Sequence, residues 1–523
     1  MTTSTSSPEA AVAMERLEEA AVDGRTENIR YRQQQLQTLH QTLRAEASAI
    51  CNALSQETRC PPAEAETEFY LGMDAVRHFY DGLDFDRALE DEYRVASAKD
   101  HPGRRVGVGM VIIRPTDHSR FYSIVTPLAA AISAGNCVVL ELQETLSQMD
   151  SLLRSLLTKS MDINTFYIST TAIPDRSVLD AALLVDQTGG ARPPTTAASP
   201  RQQQLVSSTT ARVVAVVDRT ADIEAAAQAI TRARFIFGGT SPYAPDLVLV
   251  NEFVKARFFE ACLRHATLAF ASERDPTATR KVVGDQREAT RRAVVEAEAK
   301  NQVTSFGSSE FKLVDILDKN TPLMTTKITG RYLPIATCSG LVDAAFTPQG
   351  SESLTPLLAG YFFADPRAAK YLAQHVACAA SFVNQIPAQL LVGPAAPTAA
   401  ATAHTPDYLH HRYTRDMFSL PRPQFVEPPP RAAEDLLRLN GGSGASGSPT
   451  GKVLTKHIRA LAVRPLAPSG LPAKNRNTGI GFFDSGFFIG AGIALSVVLP
   501  ALGWTSYVLA RKGVEYAVRL RNR

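Results

Sequence analysis

The residues best suited to chemistry in this chain are a few hydroxyls and histidines that lie far apart in sequence. Thr240 and Ser241 follow a pair of glycines, and His118 could act as the base for either hydroxyl. The alternative is that both hydroxyls cap a turn before Pro242, because Ser and Thr commonly bond nearby backbone groups in turns. We favour the turn over a nucleophile at these positions.

Two other sequence patterns could indicate a ligand-binding site, and neither pattern is specific enough to identify one. Three histidines, His404, His410 and His411, could bind a metal ion, but they occur in a stretch of Ala, Thr and Pro that is typical of a solvated loop. Residues Thr188–Gly190 could hold a phosphate through backbone N–H groups, although so short a match is a weak signal. We therefore predict no metal site.

Length and composition indicate a folded protein of two or three domains. The chain has 523 residues, of which 45% are hydrophobic and 20% charged, and its net charge is +3. Because the basic residues are spread along the chain without interleaved aromatics, nucleic-acid binding is not expected. Residues Met1–Gly24 are rich in Ser, Thr, Ala and Glu without an apolar core, so we predict a disordered arm and no secretory signal.

A tight glycine loop at the centre of the chain lies between a helix and a buried strand. Apolar residues over 221–235 recur at helical spacing, Gly238-Gly239 form the turn, and Leu247–Val250 read as an apolar strand. Such a loop is expected at the mouth of a strand, where α/β folds bind their ligands.

Strands and helices alternate on both sides of this loop. Apolar runs predict strands, which the intervening helical patterns connect at βαβ spacing, and this favours parallel sheets covered on both faces. The predicted strands are 105–114, 137–142, 166–169, 182–185, 213–217, 332–336 and 359–363, and the predicted helices are 122–134, 145–159, 252–268 and 278–299.

Four motifs resemble aldehyde dehydrogenases of class 3, the branch that includes fatty aldehyde dehydrogenase. They are FIFGGTSPYAPDLVLVN at 235–251, PLAAAISAGNCVVLE at 127–141, YRQQQLQTL at 31–39 and RYTRDMFSLPRPQF at 412–425. The resemblance implies the α/β fold of that family over about residues 24–425. Its parts would be a Rossmann-like domain at 25–206, a catalytic-type domain at 207–385 and a bridging segment at 386–426, followed by a Gly/Ser-rich linker at 427–477.

The resemblance also allows the catalytic positions to be checked one by one. In the family a cysteine attacks the aldehyde, an asparagine holds the oxyanion and a glutamate activates water. The cysteine position falls on Pro242, the glutamate position on Ser208 and the asparagine position on Asp117. Since none of these side chains can do the corresponding chemistry, we expect no catalytic residues here.

The coenzyme positions differ in the same way. The lysine that holds the adenosine ribose in the family becomes Glu141, the phosphate loop begins at Asp186 and continues to prolines at 193–194, and the glutamate that grips the nicotinamide ribose becomes Lys327. A carboxylate beside a pyrophosphate opposes binding. No bound cofactor is expected, and NAD(P) would be required only if the chain were an active enzyme.

Three functions remain open at this stage. The first is a catalytically inactive relative with a scaffold or regulatory role, as a homodimer or a heterodimer with an active relative paired through a strand near Ala380–Val383. The alternative is a divergent NAD(P)-dependent fatty aldehyde dehydrogenase that oxidises aldehydes to carboxylic acids. The third is a pocket that binds a lipid or a nucleotide without turning it over.

The carboxyl end predicts a membrane anchor. Residues 485–510 contain no charge, whereas a spanning helix needs only about 20 apolar residues. Trp504 and Tyr507 would lie at the interface, and basic residues follow. We predict a single-pass carboxyl-terminal anchor with cytosolic domains, in the endoplasmic reticulum or another cytosol-facing membrane. Pro500 could instead turn the segment into a hairpin, and we favour the span.

Overall fold

A computed structural model describes most of residues 8–422 and part of residues 492–521. The gaps are at 59, 100, 102, 144, 146, 174–175, 191–203, 272–284, 348–355, 399–405, 409, 423–491 and scattered positions beyond. The chain divides into one unit at Met1–Phe425 and a second at Val426–Arg523, and each is described separately.

The amino-terminal half of the first unit builds a six-stranded sheet. Its strands occur in the order β14-β6-β5-β2-β3-β4, and all neighbours are parallel except β6 and β14. The helices are α1 Pro8–Val22, α2 Ile29–Ala45, α3 Ala47–Thr58, α4 Pro62–Asp81, α5 Phe85–Ala96, α6 Arg120–Ala134, α7 Gln148–Ser160 and α8 Arg176–Ala181. The strands are β1 Arg105–Gly107, β2 Met110–Arg114, β3 Cys137–Glu141, β4 Phe166–Ser169, β5 Leu183–Asp186, β6 Gln204–Ser207 and, from later in the chain, β14 Pro397–Thr398.

The next part of the chain builds a seven-stranded sheet in the order β13-β12-β7-β8-β11-β10-β9. Only β9 is antiparallel to its neighbour. The strands are β7 Val213–Val217, β8 Leu247–Asn251, β9 Val303–Gly307, β10 Lys312–Ile316, β11 Tyr332–Cys338, β12 Ala359–Phe363 and β13 Ser381–Val383; β15 Ser419–Pro421 pairs with β1 instead. The helices are α9 Ile223–Phe235, α10 Lys255–Ala271, α11 Asp285–Ala299, α12 Leu341–Phe346 and α13 Pro366–His375.

These elements confirm the predicted alternation of strands and helices, with small differences in the residues at which individual elements begin and end. Helix α6 ends at Gly135, whose φ of 87° suits a glycine C-cap, as its sequence position predicts. Helix α9 begins where the Asp222 side chain accepts hydrogen bonds from two backbone N–H groups. The single strand predicted at 105–114 is divided into β1 and β2 by Gly109, which has a φ of 107°.

The predicted disordered arm is wrong over the residues that the structure describes. Helix α1 packs against the six-stranded sheet, where Leu17 is fully buried beside Ile112 and Val139. Its buried residues Met14, Leu17 and Ala20 are three apart and therefore share one helix face. The Ser/Thr-rich composition concealed this pattern, which gives the sheet an apolar cover on its second face. Residues 1–7 lie outside the described range.

The carboxyl-terminal unit is described only in part. The predicted linker at 427–477 lies outside the described residues, as does much of the predicted anchor at 485–510. Residues 502–514 are helical, and Trp504 and Leu509 are exposed there. Among the residues that can be described, no helix is both long enough and apolar enough to span a membrane.

Candidate functional site

The glycine loop between α9 and β8 adopts an unusual backbone. Phe237, Gly238 and Gly239 all have positive φ angles, of 51°, 64° and 70°. A Cβ on Gly239 would collide with the carbonyl oxygen of Gly330, whose N–H donates to the Gly239 carbonyl at 2.9 Å. The loop and the segment at 326–331 therefore approach each other through backbone atoms, and only glycine allows this approach.

A buried ion pair fixes the base of this loop. Arg234 is fully buried and donates to four backbone carbonyls, while its Nη1 lies 3.6 Å from Oδ1 of Asp246. Asp246 is equally buried and accepts hydrogen bonds from the N–H groups of Val213 at 2.7 Å and Ile328 at 3.1 Å. Because each charge has several hydrogen-bond partners, the pair tolerates burial and holds the loop rigidly.

Lys327 is directed at the loop. Its Nζ donates to the Pro242 carbonyl at 2.6 Å and to Oδ2 of Asp246 at 2.9 Å. Burial lowers the pKa of Lys327, and the neighbouring Asp246 carboxylate opposes that shift. The two sequence-predicted positions Lys327 and Pro242 are thus brought together, and the ammonium group of Lys327 stabilises the turn at Pro242.

His118 and Thr240, which the sequence placed together only as an alternative, are in contact. His118 Nδ1 lies 3.0 Å from Thr240 Oγ1, and Nε2 lies 3.0 Å from the Leu391 carbonyl oxygen. Three segments that are remote in sequence therefore meet at one imidazole. Ser241 differs from Thr240, since its hydroxyl oxygen accepts a hydrogen bond from the Tyr243 N–H within the turn.

The remaining predicted catalytic positions make local contacts. Asp117 has a fully exposed side chain and forms an ion pair of 3.4 Å with Arg120. Ser208 accepts a hydrogen bond from the Ala211 N–H at 3.0 Å, in the turn before β7. Each of these two side chains thus contacts a residue three positions further along the chain.

The two predicted coenzyme positions on the six-stranded sheet are joined by an arginine that sequence reasoning missed. Arg114 donates from Nε to Glu141 at 2.6 Å and from Nη1 to Asp186 at 3.1 Å. The hydrogen bond to Glu141 does most to raise the pKa of Arg114. Strand β2 lies between β5 and β3, so its last residue faces the carboxylates that end both neighbours. The sequence signal that could have revealed this contact is that β2 ends in a basic residue, whereas β3 and β5 each end in an acidic residue.

This ion-pair network occupies the point where the strand order reverses. Strands β2, β3 and β4 extend to one side and β5 and β6 to the other, so the crevice between β2 and β5 is where an open α/β sheet binds a dinucleotide. Arg114 and Asp186 bridge it. The crevice thus contains two carboxylates, those of Glu141 and Asp186, and one cation that pairs with both of them.

The short phosphate motif is also engaged internally. Oδ1 of Asp186 accepts hydrogen bonds from the N–H of Thr188 at 2.8 Å and from its hydroxyl at 2.7 Å. One of the backbone N–H groups that a phosphate cradle at Thr188–Gly190 would use, that of Thr188, therefore donates to a carboxylate. The prolines at 193–194 lie outside the described residues.

The histidine cluster is less solvated than its sequence indicates. His411 is only 3% exposed and packs against His78 of α4 with ring centroids 5.2 Å apart, and burial lowers the pKa of His411 to about 4. His410 is exposed, and His404 lies outside the described range. In the part of the chain that the structure covers, no group of three or more His, Cys, Asp or Glu side chains is arranged to hold a metal ion.

Comparison with known proteins finds aldehyde dehydrogenases among the similar sequences and the aldehyde dehydrogenase fold among the solved structures. No family model matches the chain. The rat dimeric NADP-preferring aldehyde dehydrogenase is 23% identical over 357 residues, which cover 63% of this chain and 76% of that protein. Rat aldehyde dehydrogenase family 3 member B1 is 23% identical over 354 residues, which cover 63% of this chain and 74% of that protein. The 4,4'-diaponeurosporen-aldehyde dehydrogenase of Staphylococcus aureus is 21% identical over 411 residues, which cover 75% of this chain and 88% of that protein.

Solved structures extend the likeness to almost the whole fold. Substrate-bound AldH of Staphylococcus aureus matches with a TM-score of 0.65 at 19% identity, covering 87% of this chain and 99% of that one. Glyceraldehyde-3-phosphate dehydrogenase GapN of Methanocaldococcus jannaschii, complexed with NADP, matches with a TM-score of 0.56 at 14% identity, covering 80% and 94%. The chain has the aldehyde dehydrogenase fold and is related in sequence to the family 3 branch of these enzymes.

Proposed function

We propose that this protein keeps the aldehyde dehydrogenase fold without NAD(P)-dependent aldehyde oxidation, and acts as a scaffold or regulatory subunit at a membrane. The observation that carries the proposal is the loop at Pro242. A proline supplies no nucleophile, and its carbonyl is held by Lys327 at 2.6 Å. The chain has no cysteine between Cys137 and Cys262, so no shift of alignment brings a thiol to this loop.

The state of the cysteines supports the same conclusion. All six thiols lie in the described part of the chain, and burial raises the pKa of every one of them; the residues are Cys51, Cys60, Cys137, Cys262, Cys338 and Cys378. A nucleophilic cysteine needs the opposite, a thiolate favoured by a nearby cation or helix end. Burial therefore disfavours the thiolate form at each of the six positions.

The alternative is a divergent NAD(P)-dependent fatty aldehyde dehydrogenase. The sequence similarity to named aldehyde dehydrogenases favours this alternative. Against it stands the bridge from Arg114 to Glu141 and Asp186 across the crevice. A coenzyme phosphate placed there would meet two carboxylates, and an uncompensated buried charge costs several kcal/mol. That cost would weaken a micromolar site to about millimolar.

The experiment that separates these functions measures oxidation and binding on the purified full chain. We expect no aldehyde-dependent reduction of NAD or NADP with short or long aldehydes, and no shift in melting temperature at submillimolar coenzyme. Pro242→Cys alone should not restore activity, because Asp117 and the Arg114 bridge remain. Coenzyme reduction that depends on added aldehyde and follows the purified protein would contradict the proposal. An active class 3 enzyme serves as the positive control.

Membrane attachment through residues 485–510 forms part of the proposal and rests on their uncharged sequence. The folded unit would face the cytosol, at the endoplasmic reticulum or another cytosol-facing membrane. The full chain should resist alkaline carbonate extraction, whereas a version ending at Asn477 should be released. If both forms wash off equally, the anchor is refuted.

Pairing with a second chain is the last part of the proposal. Strand β13 is an edge strand of the seven-stranded sheet, and the side chain of Val383 is partly exposed there. An exposed edge can pair with another strand. We expect a dimer by light scattering in mild detergent, formed with a second copy or with an active relative. A monomeric mass would count against both.

A further inference from the structure

A group of arginines surrounds the two-stranded sheet that β1 and β15 form. We call this group the arginine patch, and its members are Arg25, Arg32, Arg104, Arg105, Arg415 and Arg422. In the described part of the chain, the carboxylates that form ion pairs with these arginines are those of Glu27, Asp162 and Asp416. Six guanidinium groups therefore stand beside three carboxylates, and the patch is positively charged.

Short contacts show that the arginine patch is continuous across segments that are remote in sequence. The Arg422 N–H donates to the Arg104 carbonyl at 3.0 Å, because the two residues follow and precede the paired strands β15 and β1. Arg104 Nη2 lies 4.0 Å from Oε2 of Glu27. Arg32 donates from Nη2 to the Glu27 carbonyl at 2.9 Å. The short helix at 25–27 thus joins α2 to the two-stranded sheet.

Like charges are held close together inside the patch. Arg105 donates from Nη2 to the carbonyls of Asp416 at 2.9 Å and Ser419 at 2.6 Å, which fixes its guanidinium against β15. Burial lowers the pKa of Arg415; the Asp416 carboxylate opposes that shift and the Arg105 charge adds to it. Burial also lowers the pKa of Arg32 to about 10, and the Arg415 charge contributes. Because neighbouring cations repel one another, an anion placed over them would relieve the repulsion.

The shape of the patch favours a partner that lies on the outside of the protein. Arg25, Arg104 and Arg422 are exposed. The cavity beside Arg32 has a volume of about 10 Å³, which is room for one water molecule. A phosphate or a larger anion cannot enter that cavity, so an anionic partner has to contact the exposed guanidinium groups from the surface.

The position of the patch in the sequence points to a membrane as that partner. Strand β15 lies at the carboxyl end of the first unit, whose described residues end at Arg422. The uncharged segment at 485–510 follows later in the chain, and the sequence at 436–483 before it contains seven Lys or Arg residues and no Asp or Glu. Basic residues close to a membrane anchor are typical of proteins that bind anionic lipids.

We propose that the arginine patch binds the anionic phospholipid headgroups of the membrane to which the chain is attached. Guanidinium groups form strong charge-assisted hydrogen bonds with phosphates and carboxylates, which are the charged groups of these lipids. The contact places the β1–β15 side of the first unit against the bilayer. The inference rests on the membrane attachment proposed above, and it adds a salt-sensitive surface contact to that attachment.

The test uses the full chain with Leu495→Asp and Val498→Asp, because charges in the apolar segment oppose insertion of the anchor and leave only surface binding. Sedimentation with vesicles of phosphatidylcholine and phosphatidylserine is compared with vesicles of phosphatidylcholine alone. We expect binding only to the anionic vesicles at low salt, and its loss at high salt, where charges are screened. Adding Arg104→Gln and Arg422→Gln should weaken the binding by about fivefold for each arginine and about thirtyfold for both.

The matched control is Arg291→Gln with Arg292→Gln, which removes the same charge from the exposed side of α11 and should leave vesicle binding unchanged. Since all four arginines are on the surface, both double variants should melt close to the parent chain. Absence of binding to the anionic vesicles, or undiminished binding by the folded variant of Arg104 and Arg422, would overturn the proposal. Release of the chain by inorganic phosphate at constant ionic strength would also overturn it, because the patch would then be a site for a soluble anion.

Failure of the anchor would give a different result from failure of the patch. Without an anchor, the unaltered chain would wash off in carbonate, yet its salt-sensitive binding to anionic vesicles would persist and would still depend on Arg104 and Arg422. Without the patch, carbonate would leave the unaltered chain on the membrane, and the Arg104 and Arg422 substitutions would have no effect on vesicle binding.

Discussion

The ammonium group of Lys327 lies 2.6 Å from the carbonyl oxygen of Pro242 and 2.9 Å from the carboxylate of Asp246. The contact joins two residues that are 85 positions apart in the sequence. Lys327 therefore stabilises the turn that contains Pro242 by tying it to the buried Asp246. The contribution of individual residues to the stability of this loop can therefore be measured with single substitutions.

Lys327→Met should destabilise the fold. The substitution removes one cation from the buried Asp246 and leaves the hydrogen bond to the Pro242 carbonyl unmade. Breaking a buried pair in this way costs about 3–5 kcal/mol. The matched control is Lys319→Met, whose ion pair of 3.1 Å with Asp343 is largely exposed and should change stability by less than about 1 kcal/mol. Denaturant unfolding of both variants gives the comparison, and equal effects would contradict the structural role of Lys327.

Arg114→Met should be destabilising, and part of that effect should depend on Glu141. Without the guanidinium, the Glu141 and Asp186 carboxylates remain buried with no cation between them. A double-mutant cycle with Glu141→Gln should give a coupling free energy of about 1–3 kcal/mol between the two side chains. Additive effects of the single substitutions would show that the bridge is not formed in solution. Coenzyme binding by Arg114→Met should still be absent, because both carboxylates stay in the crevice.

Gly239→Ala should disrupt the central loop. The added Cβ would strike the Gly330 carbonyl, and alanine would have to adopt a φ of 70°. Residues held in such a conformation cost about 1–3 kcal/mol before any steric clash is counted. Gly340→Ala is the control, because nothing lies within 4 Å of its added Cβ and its backbone is extended. A melting temperature that falls only for Gly239→Ala is the expected result.

Glu68 should make stability depend on pH between about pH 4.5 and 7. Its carboxylate is buried and accepts hydrogen bonds from the Phe121 and Tyr122 N–H groups, and burial raises its pKa from 4.5 to about 7. The folded chain therefore binds the proton more tightly than the unfolded chain. The resulting stability is fully present below pH 4.5 and is lost as the pH rises to 7, with a magnitude of about 3 kcal/mol.

Glu68→Gln isolates that contribution from the other titrating groups. The amide cannot ionise, so the difference in unfolding free energy between Glu68→Gln and the wild type should shift in favour of the variant as the pH rises from 4.5 to 7. Unfolding in urea at several pH values measures it. A difference that does not vary with pH would show that Glu68 is ionised throughout the range.

The sequence by itself determined the alternation of helices and strands and the position of the central loop. The helix over 221–235, the glycine turn and the strand at 247–250 are readable because apolar periodicity and glycine requirements act over a few neighbouring residues. The C-cap at Gly135 was predictable for the same reason. The departures from the family's motifs that we infer at Pro242, Glu141, Asp186 and Lys327 also rest on the sequence, because a motif relates a side chain to its position along the chain.

Only the tertiary structure decided what those side chains contact. His118 and Thr240 are 122 positions apart, and Lys327 and Pro242 are 85 apart, so no local pattern can report either contact. Arg114 becomes the partner of two carboxylates because strand order places β2 between β5 and β3. Helix α1 folds because its narrow apolar face is buried by a sheet whose first strand begins only at Met110. Composition alone does not reveal the free energy that this burial contributes.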